Sequence, residues 1–514
     1  MPVSPTYPGV YIEELPSPVH TIIGVPTNVA AFVGPAPRGP THEARTITSF
    51  QDYVTFFGGE SADSRMSRAI WFFFQNGGQR AEVVRVAGDG ADPSTIALGD
   101  LTLTATSPGT WGNFLRARVD QAGTRPVKQQ EQDSGGGVYN LTVRDMKAKR
   151  QEVFQNVSTL ADSPQSLAKL LAASNLVTVV GAPPDTLPHV HDPVPPGRDE
   201  WSDDYSTKAD GGTDAVPQAD DYVRESAGTG PSGIYALRHV DIFNMLCVPD
   251  LPAELLDACL ELCVERRAML IVDPPDEWTT VAGAQHGMTD SPPVHGRVEN
   301  AAIYFPRITA PDSLQDGNPA QFEPSGAIAG IWAGTDVARG VWKAPAGTTD
   351  GRLSGVTDTS VLITDQDNGL LNPVGVNCLR KFPIYGPLVW GARTMAGADE
   401  TASQWKYIPV RRMALFLEET LFRTTKWVCF EPNDEPLWSS IRLNIETFMH
   451  GLFRQGAFQG ATPRDAYLVQ CDAKNNPQED IDRGIVNILV GFAPLKPAEF
   501  VVIQIQQQSQ LQTG

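Results

Sequence analysis

FNMLCVPDLPAELLDACLELCVERRAMLIVDPP, residues 243–275, sets the fold class. It opens with FNMLCVPD, an apolar run of strand length. AELLDACLELCVERR follows, with Leu255, Cys259, Leu262 and Cys263 at helical spacing, and AMLIVDPP is a second apolar strand. Strand, crossover helix and strand make a βαβ unit, which places the two strands parallel in one sheet with helices against it. NAAIYFPRI, Asn300 to Ile308, supplies a further strand.

The same pattern stands far upstream. NVAAFVG from Asn28 is strand-like, SFQDYVTFFGG reads as a helix capped by Ser49, Ser67 to Gln75 as another helix, and AEVVRVAG (Ala81 to Gly88) as a strand. Between Asp89 and Gly230 the texture changes to strands such as PGTWGNFLRARVD and GVYNLTVRD around a Gln/Gly-rich tip, closing in a polar Pro/Asp/Gly-rich tract from Pro183. This interruption reads as a domain inserted into an α/β core. Thr309 to Asn377 is loop-rich, with helical spacing in GAIAGIWAGTDVARG up to Gly340. Pro409 to Thr425, with Met413, Leu417 and Leu421, predicts a helix. The run after Asn433, with Leu437, Ile441, Ile445, Phe448 and Leu452, predicts another, with Pro436 in its first turn; both should pack on one core. The expected organisation is a multidomain α/β chain. An N-terminal extended arm (1–26) leads into a first core segment (27–90), followed by the inserted β-rich domain with its loop-rich end (91–230). A second, α/β core segment (231–495) and a C-terminal strand arm (496–514) complete it.

With 514 residues, 41% hydrophobic and 19% charged, the chain is an ordinary globular composition long enough for two or more domains. Its net charge of −20 disfavours nucleic acid and anionic lipid as partners. Six cysteines lie in apolar segments and read as buried free thiols, which fits a reducing compartment. Neither a signal peptide nor an 18-residue apolar span is expected, so assembly in the cytoplasm is the expected localisation, without direct membrane insertion.

The two ends pose a backbone problem. MPVSPTYPGVYIEELPSPVHTIIGVP carries six prolines and short β-prone pieces, among them Val19, Thr21, Ile22, Ile23 and Val25. It cannot bury itself and must lie on something else. The last strand-like run, with Phe500, Val501, Val502, Ile503 and Ile505, is set off by Pro494 and Pro497. Its donors and acceptors must pair either within the chain or with a neighbour, and both stay open here. Two such arms let a chain polymerise head to tail, because a heterologous contact that does not close a ring makes a helix.

YPGVYIEELPSPVHTIIGVPTNVAAFVGPAPRGP resembles the start of contractile tail sheath proteins. LNPVGVNCLRKFP, VWGARTM, WKYIPVRRMALFLEETL, WVCFEPNDEPLW, LFRQGAFQGATPRDAYLVQCD and VGFAPLKPAEFVVIQI resemble their C-terminal third. The resemblance spans roughly residues 7 to 90 and 240 to 507. It implies a non-enzymatic sheath subunit stacked around an inner tube, in phage tails or related injection systems, with baseplate and terminal cap proteins as further partners. The arms would add strands to sheets of neighbouring protomers, so the mesh survives when the sheath shortens to drive the tube through a membrane. Residues 91–230 would be the outward-facing insertion. KFPIYGPLVWGARTM departs from the family's Phe-Pro-Gly-Arg-Gly turn and leaves a contact by that arginine in doubt. Arg411, Arg412, Arg423 and Arg454 offer either salt bridges within the core or tube contact.

Other residues invite a chemical reading. His189, His191 and Asp192 in PHVHDP could chelate a metal, against a solvated loop. Cys247, Cys259 and Cys263 could form a thiolate site, against core packing. Asp250 and Asp273 end parallel strands, where α/β enzymes place catalytic groups; a turn or helix cap is the simpler reading. They carry the alternative of an α/β-core hydrolase. A baseplate or capsid component is the third. No GxxxxGK[ST], GxSxG or HExxH occurs, and no cofactor is expected.

Overall fold

The computed structural model describes residues 21–41, 43–124, 137–225 and 231–504. Two compact units share them. The first comprises Thr27–Val337 and Pro345–Lys406; the second comprises Ala338–Ala344, the chain from Tyr407 onward, and the N-terminal arm.

The first unit is built on an eight-stranded sheet of Val29–Gly34 (β1), Arg45–Ile47 (β2), Arg80–Arg85 (β3), Met245–Cys247 (β4), Met269–Val272 (β5), Ala301–Phe305 (β6), Val376–Phe382 (β7) and Gly386–Trp390 (β8). Their order is β8-β7-β6-β5-β4-β1-β3-β2. From β7 to β3 all neighbours are parallel; β8 and β2 close the edges antiparallel. VAAFVG of β1 and MLIV of β5 are buried throughout, as strands covered on both faces must be. Strand β1 lies between β3 and β4, with Ala30 in register with Ala81 on one side and Met245 on the other.

Helices Phe50–Phe57 (α1), Arg65–Gln75 (α2), Leu256–Glu265 (α3) and Ser325–Arg339 (α4) accompany the sheet. Ser49 caps α1, its Oγ accepting the Asp52 amide at 3.1 Å, as its position before the apolar run predicts. Gly326, Gly330 and Gly334 form one face of α4 at four-residue spacing and lie against the main chain of Ala69, Phe73 and Asn76–Gly77 at α2. A Cβ on Gly330 would stand 2.5 Å from the Phe73 carbonyl oxygen and 2.8 Å from the Asn76 Cβ. The glycines therefore set how closely the two helices approach.

Residues between β3 and β4 carry a core of their own, including Leu103, Leu115, Leu141, Val157 and Val177. It is enclosed by a three-stranded sheet (Thr95–Leu98, Leu101–Ala105, Val177–Val179) and a four-stranded one (Leu115–Asp120, Val138–Asp145, Arg150–Ser158, Thr207–Lys208). A buried ion pair, Arg38 Nη1 to Asp145 at 2.9 Å, joins this insertion to the loop after β1. The same guanidinium donates to the carbonyls of Val54 and Thr55, so its donors bridge insertion and core.

In the second unit Ile408–Thr424 (α5) and Glu435–Arg454 (α6) share one core with a hairpin of Tyr467–Gln470 (β9) and Leu489–Phe492 (β10). Met413, Leu417, Ile441, Ile445, Met449 and Leu452 are buried there, as the helical spacing predicts. Asp434 caps α6 and Pro436 sits in its first turn. The span 231–495, expected as one core segment, is thus divided between the two units.

Two stretches differ from their sequence reading. The loop-rich tract after Thr309 holds a hairpin, Ile308–Asp312 with Asn318–Phe322, whose Pro311 and Pro319 obscure the alternation that marks strands. Of the strand expected over Ala498 to Gln508, residues 498–504 carry no strand, and the rest lies outside the described residues.

Gly330→Ala is expected to lower stability by about 1–3 kcal/mol through overpacking against α2. The same change in an exposed helix stabilises by about 1 kcal/mol. The urea midpoint of the full-length chain reads the sign.

Candidate assembly surface

The residues nominated for catalysis are engaged in holding helices. The Asp250 carboxylate, at the end of β4, accepts the Arg65 and Met66 amides at 3.0 and 2.8 Å, and so caps α2 from across the sheet. Asp273, after β5, accepts the Ser325 amide at 2.8 Å and caps α4 in the same way. Burial raises Asp250 to about 6, against the pull of the two amides. Burial, with the Glu323 carboxylate nearby, raises Asp273 to about 7. The cap reading holds, although each aspartate caps a helix distant in sequence and not the one that follows it.

His191 is buried, its Nδ1 accepting the Val119 amide at 3.2 Å and its Nε2 3.0 Å from the Thr207 hydroxyl. Both nitrogens are occupied by the protein, and burial holds its pKa below the usual value. Among the described residues no His, Cys, Asp or Glu group has the arrangement of a metal site. Cys247, Cys259 and Cys263 are buried free thiols, all pushed up by burial.

The terminal segments are placed differently from each other. Ile22 packs against the α5–α6 core, and the Val25 amide donates to the Thr420 hydroxyl at 3.2 Å. Gly24 lies against Phe416, where a Cβ would come within 2.8 Å of the ring. Thr21 and Ile23 are exposed, and the segment forms no strand; Val19 lies outside the described residues. At the other end Tyr407 Oη donates to Glu499 at 3.2 Å, and beyond this anchor the chain leaves the surface. Phe500, Val501, Val502 and Ile503 are 76%, 80%, 83% and 79% exposed. Four consecutive apolar side chains exposed on both sides of the backbone have no counterpart in a self-contained domain. Ile505 lies outside the described residues.

The β9–β10 hairpin is the matching feature. Val469, Val490 and Phe492 pack inward on the helices, while Leu468 and Leu489 are half-exposed on the opposite side. Among the described residues no third strand pairs with it. It is a two-stranded sheet, each strand of four residues, about the length of Phe500–Ile503, with an isolated bridge between Phe458 and Pro494 just beyond β10. Of the nominated arginines, Arg411 and Arg412 are buried in α5, Arg411 standing 3.5 Å from Glu418. Arg423 pairs with Glu419 at 2.5 Å, and Arg454 is exposed in the last turn of α6.

The phage tail sheath protein central domain matches residues 239–395, and the phage tail sheath C-terminal domain matches residues 400–508. Together they cover more than half of the chain. It belongs to the phage tail sheath family. A tail sheath protein of Vibrio phage KVP40 is 26% identical over 258 residues, 47% of this chain and 37% of that protein. The tail sheath protein of Enterobacteria phage T4 is 27% identical over 253 residues, again 47% of this chain and 35% of the relative. The chain thus spans little more than a third of the length of these curated sheath relatives.

Solved sheath structures share the fold over almost the whole chain. The PVC sheath complex of an extracellular contractile injection system, in its contracted state, is 22% identical with a TM-score of 0.58, covering 98% of this chain and 99% of that one. The contracted helical sheath of the anti-feeding prophage gives 22% and 0.57, over 98% and 100%. A sheath tail protein from Listeria innocua gives 15% and 0.59, over 92% and 96%. The C-terminal sheath model takes in α5, α6, β9, β10 and the exposed Phe500–Ile503, so the candidate surface lies inside the stretch of chain that carries the family assignment.

Because the folded state of this sheath chain holds the Asp273 proton up to about pH 7, while an unfolded aspartate releases it near 3.9, folding is favoured at low pH and this contribution is lost as pH rises through 7. Asp273→Asn keeps an acceptor for the Ser325 amide and removes the titration. Its thermal midpoint relative to wild type should rise between pH 5 and 8, by roughly 1–3 kcal/mol in stability, measured by calorimetry of the unassembled chain.

Proposed function

We propose that this chain is a structural subunit of a contractile sheath, which polymerises around an inner tube by donating its C-terminal strand to a neighbouring copy. The observation that carries the reading is that one unit holds both an exposed apolar segment, Phe500–Ile503, and a sheet of only two strands among the described residues, with a half-exposed apolar face at Leu468 and Leu489. Strand addition would satisfy the backbone groups of both and cover the apolar side chains of both at once. The sheath family and the contracted sheaths that share the fold support it.

A strand link of this kind is bound through its main chain and flexibly tethered after Pro497, so subunits can shift relative to one another without parting. That is the property a sheath needs in order to shorten and widen. The energy of shortening would be stored at assembly as a difference between two packings of the same subunits. Partners would be further copies, the tube protein, and baseplate and cap proteins, assembled in the cytoplasm. Residues 91–230 would face outward. Arg454, and to a lesser extent Arg423, would present positive charge to the tube, while Arg411 and Arg412 serve the interior of α5. Asp250 and Asp273, on which the hydrolase reading rests, accept helix amides as caps, which supports the structural reading.

Negative-stain microscopy of the full-length chain should show hollow striated tubes, and a chain ending at Pro497 should give none. Val502→Pro keeps an apolar side chain but removes one amide from the ladder, and is expected to reduce tube yield by about tenfold or more. Tubes from both variants would show that assembly runs through another surface.

A further inference from the structure

The first unit contains a cleft of about 1080 Å³ between its sheet and the inserted domain. It opens at the carboxyl ends of β1, β3 and β4, where β1 has its neighbours on opposite sides, the position at which open α/β sheets hold ligands. Nothing in the proposed assembly makes use of it.

Its charge is uneven in a specific way. Arg85 lines the cleft and is 3% exposed. Its Nε donates to the Ala36 carbonyl at 2.7 Å and its Nη1 to Gly39 at 3.0 Å, with Pro37 at 3.5 Å from Nη2. Among the described residues no carboxylate lies within ion-pair distance of it, and burial draws its pKa down to about 10 against the longer-range pull of the Asp214 carboxylate. Three of five guanidinium donors are engaged, which leaves two for a ligand. Arg38, 5% exposed on the same wall, is paired with Asp145 through Nη1, yet its Nε is buried with no hydrogen-bond partner.

Four of the five carboxylates of the cleft are engaged within the protein. Glu60 pairs with Arg68, Asp145 with Arg38, Asp214 accepts the Thr110 amide, and Asp250 caps α2. Asp63 is exposed at the surface. Asp214 compensates the buried Arg85 charge only from beyond ion-pair distance, and an anion in the cleft would relieve the remaining cost. Beside the cations stand two aromatic side chains: Trp111, buried with the Arg38 guanidinium 5.6 Å from its ring centre, and Phe114, with Lys147 at 5.4 Å. Phe114 is 45% exposed.

We propose that this cleft binds a small organic anion, its carboxylate or phosphate directed to Arg85 and Arg38 and a flat apolar portion laid against Phe114. The ring would gain the aromatic contact, and Lys147 at the rim would draw the anion in.

Calorimetric titration of the full-length chain tests this with adenosine monophosphate, benzoate and inorganic phosphate, at matched ionic strength. One of the two ring-bearing anions should saturate a single site per chain, and which of them does so separates a phosphate ligand from a carboxylate one. Inorganic phosphate, without a ring, should bind about tenfold more weakly or less. Ala87→Trp, which fills the cleft from the end of β3, should weaken binding at least tenfold with an unchanged circular dichroism spectrum. Lys147→Glu, an exposed change that leaves the core intact, should weaken it several-fold. Absence of binding by both organic anions up to about 10 mM, or binding undiminished in both variants, overturns the proposal.

Discussion

Strand β1 is hydrogen-bonded on both sides, to β3 through a local βα connection and to β4 across the whole inserted domain. The rest of the first unit depends on these two parallel ladders. A strand so placed is buried on both faces, which requires helices on the sheet and explains why VAAFVG contains no polar residue. Because the β1–β4 ladder closes the core independently of what lies between, an entire domain with its own hydrophobic centre is accommodated in the connection. The cost in chain entropy grows only slowly with loop length.

The same geometry accounts for Asp250 and Asp273. Carboxyl ends of parallel strands face helix N-termini, and an aspartate there can satisfy amides that a helix leaves without partners. The sheet thereby positions α2 and α4, and the glycine face of α4 brings the pair into main-chain contact. What resembles an active site in sequence is a bracing element. In the cleft beyond β1, β3 and β4 the fold leaves one buried donor, Arg38 Nε, without a hydrogen-bond partner.

In the second unit the helices and the inner face of the hairpin complete a core, but the outer face of the hairpin and the segment after Glu499 do not. Tyr407 holds Glu499, and beyond it Phe500–Ile503 are exposed. An ordinary domain would fold such a terminal strand onto its own sheet edge. Here the segment after Pro497 forms no strand up to residue 504, and its apolar side chains remain in solvent.

The sequence by itself determined the strands and helices whose pattern is strong: β1, β3, β5 and β6 as apolar runs, and α1, α5 and α6 through caps and periodicity. It also posed the question of what covers the two ends, because a proline-rich segment and an isolated strand-like run cannot bury themselves. The C-terminal motifs carried the family. Only the tertiary structure decided the rest, since each remaining feature depends on residues far apart in the chain. Arg38 meets Asp145, Asp250 reaches the start of α2, and Gly330 is required only because Phe73 lies beneath it. Arg411 and Arg412 appear in sequence as a basic pair available to a partner, and are buried because α5 turns that face inward. Local pattern specifies local structure; which side of an element meets solvent is set by what packs against it.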